Sequence, residues 1–298
     1  MIKRSLPLLL IFCLAPWLTM AQDPAKYSFE IKYTQGMSFT VTSESQVTGS
    51  SSVTGEETKD NTSSESWRQK YRITVIELDG NLPKTIELTV LEEIRIQDEK
   101  KYSPPYVNVR LPLARNRYGR LNVDRKRLEN DDSYTKDEKS NIYDLEHGGL
   151  NDLFQQLDVN DEIFLPRKIT SSRQWQSIPL APGESWDIHR DAFLKHSGLK
   201  NGLNFKADSR SIKAKGTFKG VQDGVATLII EASYSGANRL FEDCNTHVKT
   251  TSTVFFDLQK NFITGTSATM SFSFEGQAGP CTINGKGEAK SSSTITIH

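Results

Sequence analysis

The sequence predicts a mainly β protein, built as two related antiparallel β-sheet lobes, open-barrel or sandwich-like, around a central helix-containing connector. Three observations carry this. Apolar and polar residues alternate with period two in many short runs, the chain's two Asp-Gly dipeptides fall between apolar-rich runs, and several features recur at nearly one offset. The order expected is a signal peptide over 1–21, a first β lobe over 22–125, a charged connector plus helix over 126–178, and a second β lobe over 179–298.

The first lobe shows the alternation in Tyr71, Ile73 and Val75, in Ile86, Leu88 and Val90, and in Val107, Val109 and Leu111, each set interleaved with polar residues. The second lobe repeats it in Met270, Phe272 and Phe274 against Ser271 and Ser273, and in Ile295 and Ile297 against Thr294 and Thr296. Such strands bury one face and wet the other, the habit of antiparallel sheet. Asp79-Gly80 and Asp223-Gly224 suit tight hairpin turns, because glycine accepts the positive φ these turns require. They lie 144 residues apart. TQGMSFTV, from Thr34, matches APGESWDI, from Ala181, at 147, and VNVRLPL ending at Leu113 matches STVFFDL ending at Leu258 at 145. Three features in one order point to an internal repeat.

Between the lobes, 11 of the 17 residues from Asp124 to Ser140 carry charge, which reads as a solvated connector. Beyond it Ile142, Leu145, Leu153, Phe154 and Leu157 fall near helical spacing, predicting the longest helix within 141–158, interrupted or delayed by Gly148-Gly149. A short helix is expected from Ala192 to His196, capped by Asp191 and stopped at Gly198. Ser43 to Ser66 holds 12 Ser or Thr in 24 residues, an exposed hairpin or mobile loop, and includes the formal glycosylation acceptor Asn61-Thr62-Ser63.

The N-terminus sets the compartment. Lys3 and Arg4, the apolar run Leu6 to Leu18 and the small residues around Ala21 form a secretory signal, too short and Pro-broken for a membrane span. Cys13 follows Ile11 and Phe12, where lipid attachment needs small residues. Export is to the periplasm or beyond, with no transmembrane segment after cleavage. The full chain has 37 basic and 37 acidic residues, and loss of Lys3 and Arg4 leaves a slight acidic excess, so no net charge argues for a nucleic-acid partner and none is expected. Cys244 and Cys281 remain as a pair in an oxidising compartment, and a disulfide closing that 37-residue loop is expected to contribute about 4 kcal/mol.

Catalytic signatures are absent at the level of sequence: no HExxH, CxxC or P-loop pattern occurs. Gly265-Thr266-Ser267-Ala268-Thr269 lacks the second glycine of a nucleophile elbow. Asp131, Ser133 and Thr135 alternate like a calcium loop, but Lys136 stands where the sharp turn needs glycine. The one local set suited to a metal is Asp187, His189 and Asp191, which share a face if that stretch is strand, with His196 as a fourth ligand from the next turn. Solvated strand chemistry and the capping role of Asp191 compete with that reading, and no cofactor is expected. Trp67, Trp175 and Trp186 suit core packing or a groove for an apolar ligand.

Four segments, YTQGMSFTVT from Tyr33, RITVIELDG from Arg72, PLAPGESW from Pro179 and VFFDLQKNFITG from Val254, resemble secreted bacterial proteins frequent in planctomycetes and their relatives, a family of unknown function. The resemblance implies two related β-lobes. It supplies no catalytic residue, and Cys244, Cys281 and the Asp187 to His196 cluster lie outside the shared pattern. The function expected is non-catalytic binding of a ligand or envelope partner on a concave sheet. The alternatives are an apolar-ligand carrier, with a pocket lined by residues such as Phe255 and Met270, and a metal-dependent enzyme using Asp187, His189, Asp191 and His196.

Overall fold

A computed structural model describes residues 25–55, 58–97, 100–102, 107–116, 121–140, 142, 165–169, 175–190, 193, 205–238 and 244–298. The signal peptide, Cys13, nearly all of the expected helix at 141–158, and the expected helix at 192–196 apart from Phe193, lie outside the described residues. So do Asp191 and His196.

The chain is mainly β. Its strands are β1 (Ser38–Thr54), β2 (Thr58–Asp79), β3 (Leu82–Gln97), β4 (Lys100–Tyr102), β5 (Arg110–Arg115), β6 (Leu121–Val123), β7 (Arg167–Ile169), β8 (Trp175–Ser177), β9 (Ser185–Asp187), β10 (Phe205–Ala207), β11 (Lys213–Gln222), β12 (Val225–Asn238), β13 (Asn245–Asp257), β14 (Phe262–Ala278) and β15 (Cys281–Ile297). Thirteen of them form one open antiparallel sheet in the order β6-β5-β3-β2-β1-β15-β14-β13-β12-β11-β9, with β4 beside β3 and β10 beside β12; β7 and β8 form a small second sheet. The β-rich halves of the sequence meet along β1 and β15, which pair continuously from Phe39 opposite Ile297 to Thr54 opposite Thr282.

The halves repeat one set of local bonds. At the entry to β1, the Met37 N–H donates to the Thr34 carbonyl, the Gly36 N–H to Val75 at 2.8 Å, and the Val75 N–H back to Met37. At the entry to β9, Glu184 donates to Ala181, Gly183 to Phe218 at 2.7 Å, and Phe218 back to Glu184. Gly36 and Gly183 sit at φ +82° and +88°, which an L side chain rarely adopts. A β-bulge follows both Val75 and Phe218.

The Asp-Gly turns join equivalent hairpins but sit one residue out of step. Asp79 pairs with Leu82, so that loop is Gly80-Asn81, whereas Gln222 pairs with Val225 and the loop is Asp223-Gly224, both residues at positive φ. Register also shifts the third sequence match. Leu113 lies opposite Ile86, itself opposite Val75, and the position reached by the same steps from Phe218 through Leu228 is Val254, four residues before Leu258.

One face of the sheet carries the core. Phe39, Ile73, Val75, Ile86, Leu88, Leu111 and Leu113 bury it in the first half, and Phe218, Leu228, Ile230, Val254, Phe256 and Ile263 in the second. The extended segment before β1 laces the halves together. Phe29, fully buried, meets Phe218 and Phe256 edge-on at 5.1 and 5.6 Å, and Tyr33 and Phe39 meet Phe262 at 5.5 and 5.2 Å. Tyr27 exchanges two backbone bonds with Leu180, and the Lys32 N–H donates to Asn261.

The charged connector is more embedded than its composition suggests. Asp124 caps the helix α1 (Arg125–Asn130) by accepting from the Arg127 N–H at 3.1 Å. Leu128 on this helix and Tyr134 after it are buried. Arg127 donates to Glu87 of β3 at 3.2 Å, the Tyr134 hydroxyl also reaches Glu87, and Arg110 lies over the Tyr134 ring. Two apolar residues spaced six apart show no period in the sequence, yet they suffice to dock the segment.

Candidate functional site

The metal candidates are only partly placed. Asp187 ends β9, exposed, directly opposite Lys215, in a shallow surface depression that Lys213, Glu231 and Lys249 also line. His189 is exposed and lies beyond the strand, so it does not continue a row with Asp187 along β9. Among the described residues no three His, Cys, Asp or Glu side chains converge on a cation position.

The expected Cys244–Cys281 disulfide is corrected: both cysteines are free. Cys244 immediately precedes β13 and Cys281 opens β15, with β14 running between them. Two strand spacings hold the two backbones about 10 Å apart across the sheet, beyond the roughly 7 Å between Cα atoms that a disulfide tolerates. Cys244 packs over Gly276 of β14, where a side chain would collide with the Cys244 backbone. Burial raises the Cys244 thiol pKa.

Phe255 and Met270 do not line one pocket. Phe255 pairs with Gly265 and points to the solvent face, its ring over that glycine, while Met270 pairs with Thr250 and points to the core-bearing face. Trp186 is buried against Gly216, which leaves it the packing role. Trp67 is half-buried and faces the same side as Met270, since Trp67 pairs with Ser45, Ser45 with Ser291, Ser291 with Ala268, and Met270 follows two residues later.

That core-bearing face has a second part. Beyond the packed core, β1, β2, β13, β14 and β15 continue toward the hairpin ends, and the registers place their inward residues in rows. The row of Trp67, Ser45, Ser291 and Ala268 is followed by Glu65, Val47, Ala289 and Met270. Then come Ser63, Gly49, Gly287, Phe272 and Val248, and next Asn61, Ser51, Gly285, Phe274 and Thr246. Val53 and Ile283 close the strip. The middle strands β1 and β15 thus present nothing larger than Val or Ile along this seam, with the larger side chains on either side.

Gly285 and Gly287 serve space and not turn geometry, since both lie outside the positive-φ region. A Cβ on Gly287 would stand 2.8 Å from Phe272 Cε1 and 2.6 Å from the Thr48 carbonyl oxygen; one on Gly285 would stand 2.6 Å from Phe274 Cε1. The phenyl rings therefore lie down across β15 and pave it with hydrocarbon. Val47, Met270, Phe272, Phe274 and Ala289 all remain half-buried.

The inner end of the strip is polar. Ser45 Oγ is buried and accepts or donates no hydrogen bond among the described residues. Gln69 is buried one row further in, and Glu65 pairs with Arg95 beside Trp67, with Glu93 opposite Gln69. Sequence reading singled out Met270, Phe272 and Phe274 but not the paired Gly285 and Gly287, whose signal was two glycines at strand spacing in NGKGEAK. The opposite, solvent face holds a groove of about 590 Å³ over β3, β2, β1 and β15, floored by Ile94, Ile96 and Arg68, the last bracketed by Glu44 and Glu92.

No helix among the described residues is long and apolar enough to cross a membrane. No family model and no curated protein matches the chain. Among solved structures it is similar to a lipovitellin studied for its lipid–protein interactions, at 7% identity and TM-score 0.41 over 90% of this chain; the chain spans 25% of that one. It is also similar to OmpT lacking loop L8, an outer membrane protein of Vibrio cholerae, at 6% identity and TM-score 0.18, over 87% of this chain and 99% of that one. A LolA superfamily protein from Nitrosomonas europaea is similar at 8% identity and TM-score 0.14, over 89% and 86% of the two chains. At these identities and scores none assigns a family or a function.

Proposed function

We propose that this is an exported, non-catalytic binding protein that holds an apolar ligand on the outer part of its core-bearing sheet face. The observation that supports this reading is the strip of Val47, Met270, Phe272, Phe274 and Ala289, which continues the core's hydrocarbon surface past the packed region while staying half-exposed. Contiguous apolar surface of this kind, rimmed by polar residues, marks binding sites more often than idle surface. Fold alone assigns no function, so the strip's own chemistry carries the reading.

The test is titration of the delipidated protein with N-phenyl-1-naphthylamine, whose emission rises in apolar sites, alongside native mass spectrometry of freshly secreted protein. Saturable binding that Phe272→Ser weakens at least fivefold is the expected result. Failure to saturate, together with a ligand-free mass, would remove the apolar-ligand reading.

A further inference from the structure

The two halves of the sheet treat one place on the solvent face differently. From this we infer that the bare copy of it, around Phe255, is where two molecules of this chain pair, solvent face to solvent face. It lies on the face opposite the apolar strip and does not depend on the ligand reading. The steps that equate Ile86 with Leu228 and Leu113 with Val254 also equate the solvent-facing pairs beside them. Glu87 opposite Pro112 corresponds to Ile229 opposite Thr253, and Thr85 opposite Ala114 to Thr227 opposite Phe255. In the first half the chain covers this place itself. Arg127 and Tyr134 of the connector both reach Glu87, Arg110 lies over the Tyr134 ring, and Pro112 is buried although it points away from the core. In the second half Ile229 stands for Glu87 and Phe255 for Ala114; Phe255 is 38% exposed, and among the described residues no segment takes the connector's place. The reason lies in the next strand. β6 ends after 3 residues and the chain returns as α1, whereas β14, in the same lane of the sheet, runs on for 17 residues.

The bare patch has the chemistry of a contact. Phe255 faces Thr227, so Val225 and Ile229 are its diagonal neighbours on the same face, and the three form one apolar group. Around them the charges stop. One row of the face runs from Gly220 through Thr227, Phe255, Gly265 and Thr294 to Thr42. The next runs from Thr217 through Ile229, Thr253 and Ser267 to Ser292. At the chain's 25% charged content these eleven positions would carry about three charges; they carry none, the depletion that marks interface centres. Charge returns at the margins, with Asp187, Lys215 and Glu231 on one side, Asp257 bonded to Lys260 on the other, and Lys219 at the bulge beside Gly220. Size is sufficient for a pair of copies. Six strands at about 4.8 Å and four rows at about 6.8 Å, the marginal rows included, cover up to about 780 Å², near the roughly 800 Å² per partner of a stable complex. A second copy related by a two-fold axis brings the same uncharged face, and sheets stack face to face about 10 Å apart.

The experiment is sedimentation velocity of the full chain from about 1 to about 200 µM, a range that brackets pairs of this size. A concentration-dependent dimer is expected. Phe255→Asp, which sets a charge at the centre of the patch, is expected to raise the dimer dissociation constant at least fivefold. Because the Phe255 ring also lies over Gly265, Thr294→Lys provides a second charge in the same row without removing that ring, and the same weakening is expected. Ser64→Lys, on the same face but outside the patch, is expected to change the constant less than twofold. Urea midpoints identify the variants that remain folded. A protein that stays monomeric at the highest concentration overturns the proposal, including the case in which the patch meets a different protein. So does a dimer whose constant changes less than fivefold in a folded Phe255→Asp or Thr294→Lys variant.

Discussion

Gly49 and Gly287 face each other across the β1–β15 seam, and replacing each with alanine separates the space requirement at the site from the general cost of glycine in a strand. A Cβ on Gly49 would meet the Lys286 carbonyl oxygen at 3.6 Å, Ser63 Oγ at 3.7 Å and Phe272 Cζ at 3.9 Å, all ordinary contacts. Gly49→Ala is therefore expected to be neutral or to stabilise by about 0.5 kcal/mol, through reduced freedom of the unfolded chain. On Gly287 the same atom would stand 2.6 Å from the Thr48 carbonyl oxygen, which belongs to the paired backbone and cannot swing aside, and would also displace the Phe272 ring. Overpacking of this kind costs about 1–3 kcal/mol. Thermal unfolding monitored by tryptophan emission measures both variants, with a drop of roughly 2–12 °C in Tm expected for Gly287→Ala. The naphthylamine affinity should fall with it, since the ring that paves the strip has moved. Two substitutions with the same effect on stability would refute the reasoning, because steric asymmetry is all that distinguishes these partners.

Thiol accessibility should split: Cys281, partly exposed at the hairpin end, reacts with an aromatic disulfide reagent in the folded state, and Cys244 reacts only in denaturant, with both thiols recovered without prior reduction. Phe29→Ala empties the junction between Phe218 and Phe256 and is expected to cost about 3–5 kcal/mol by urea unfolding; a loss under 1 kcal/mol would mean the segment before β1 is peripheral. Alkaline pH should destabilise the fold. Burial holds Tyr234, and burial with the Glu87 carboxylate holds Tyr134, up to about 12, and burial pushes Tyr71 higher still. The folded pKa values lie above the ordinary 10, so this stability is complete below pH 10 and lost as pH rises from 10 toward 12, and Tyr71→Phe should flatten the decline in urea midpoint.

Much of the fold is legible from the alternation itself. Tyr71, Ile73, Val75, Ile86, Leu88 and Val90 are inward residues of long strands, and Gly80, Gly224 and Gly279 take positive φ in three of the hairpin turns. Register is less legible. A one-residue difference in the Asp-Gly loops and a four-residue slip at Leu113 do not change composition or periodicity, and both are set by hydrogen bonds between distant strands. The connector misleads because Leu128 and Tyr134 dock a segment whose other residues are charged. The cysteine pair misleads for a related reason: an even count in an oxidising compartment says nothing about which strand lies between. At the candidate site Phe272 and Phe274 announce themselves, but the pairing that puts glycines beneath them spans β14 and β15 and is visible only in the sheet.

The place of β15 in the sheet also bears on how the molecule is made. Thr40 and His298, 258 positions apart in sequence, share a hydrogen bond at 2.8 Å, and β15 is wedged between β1 and β14 and not added at a rim. During synthesis, β1 and β14 emerge first and present long, unsatisfied backbone edges until β15 arrives. Such edges recruit strands of other chains. The Lys286, Glu288 and Lys290 charges on the solvent face of β15 and the Ser/Thr content of β1 oppose that capture, and assembly through so distant a pairing is slow. Loss of β15 would therefore split the sheet through its middle, leaving two half-sheets with sticky margins instead of a molecule merely shortened by one strand.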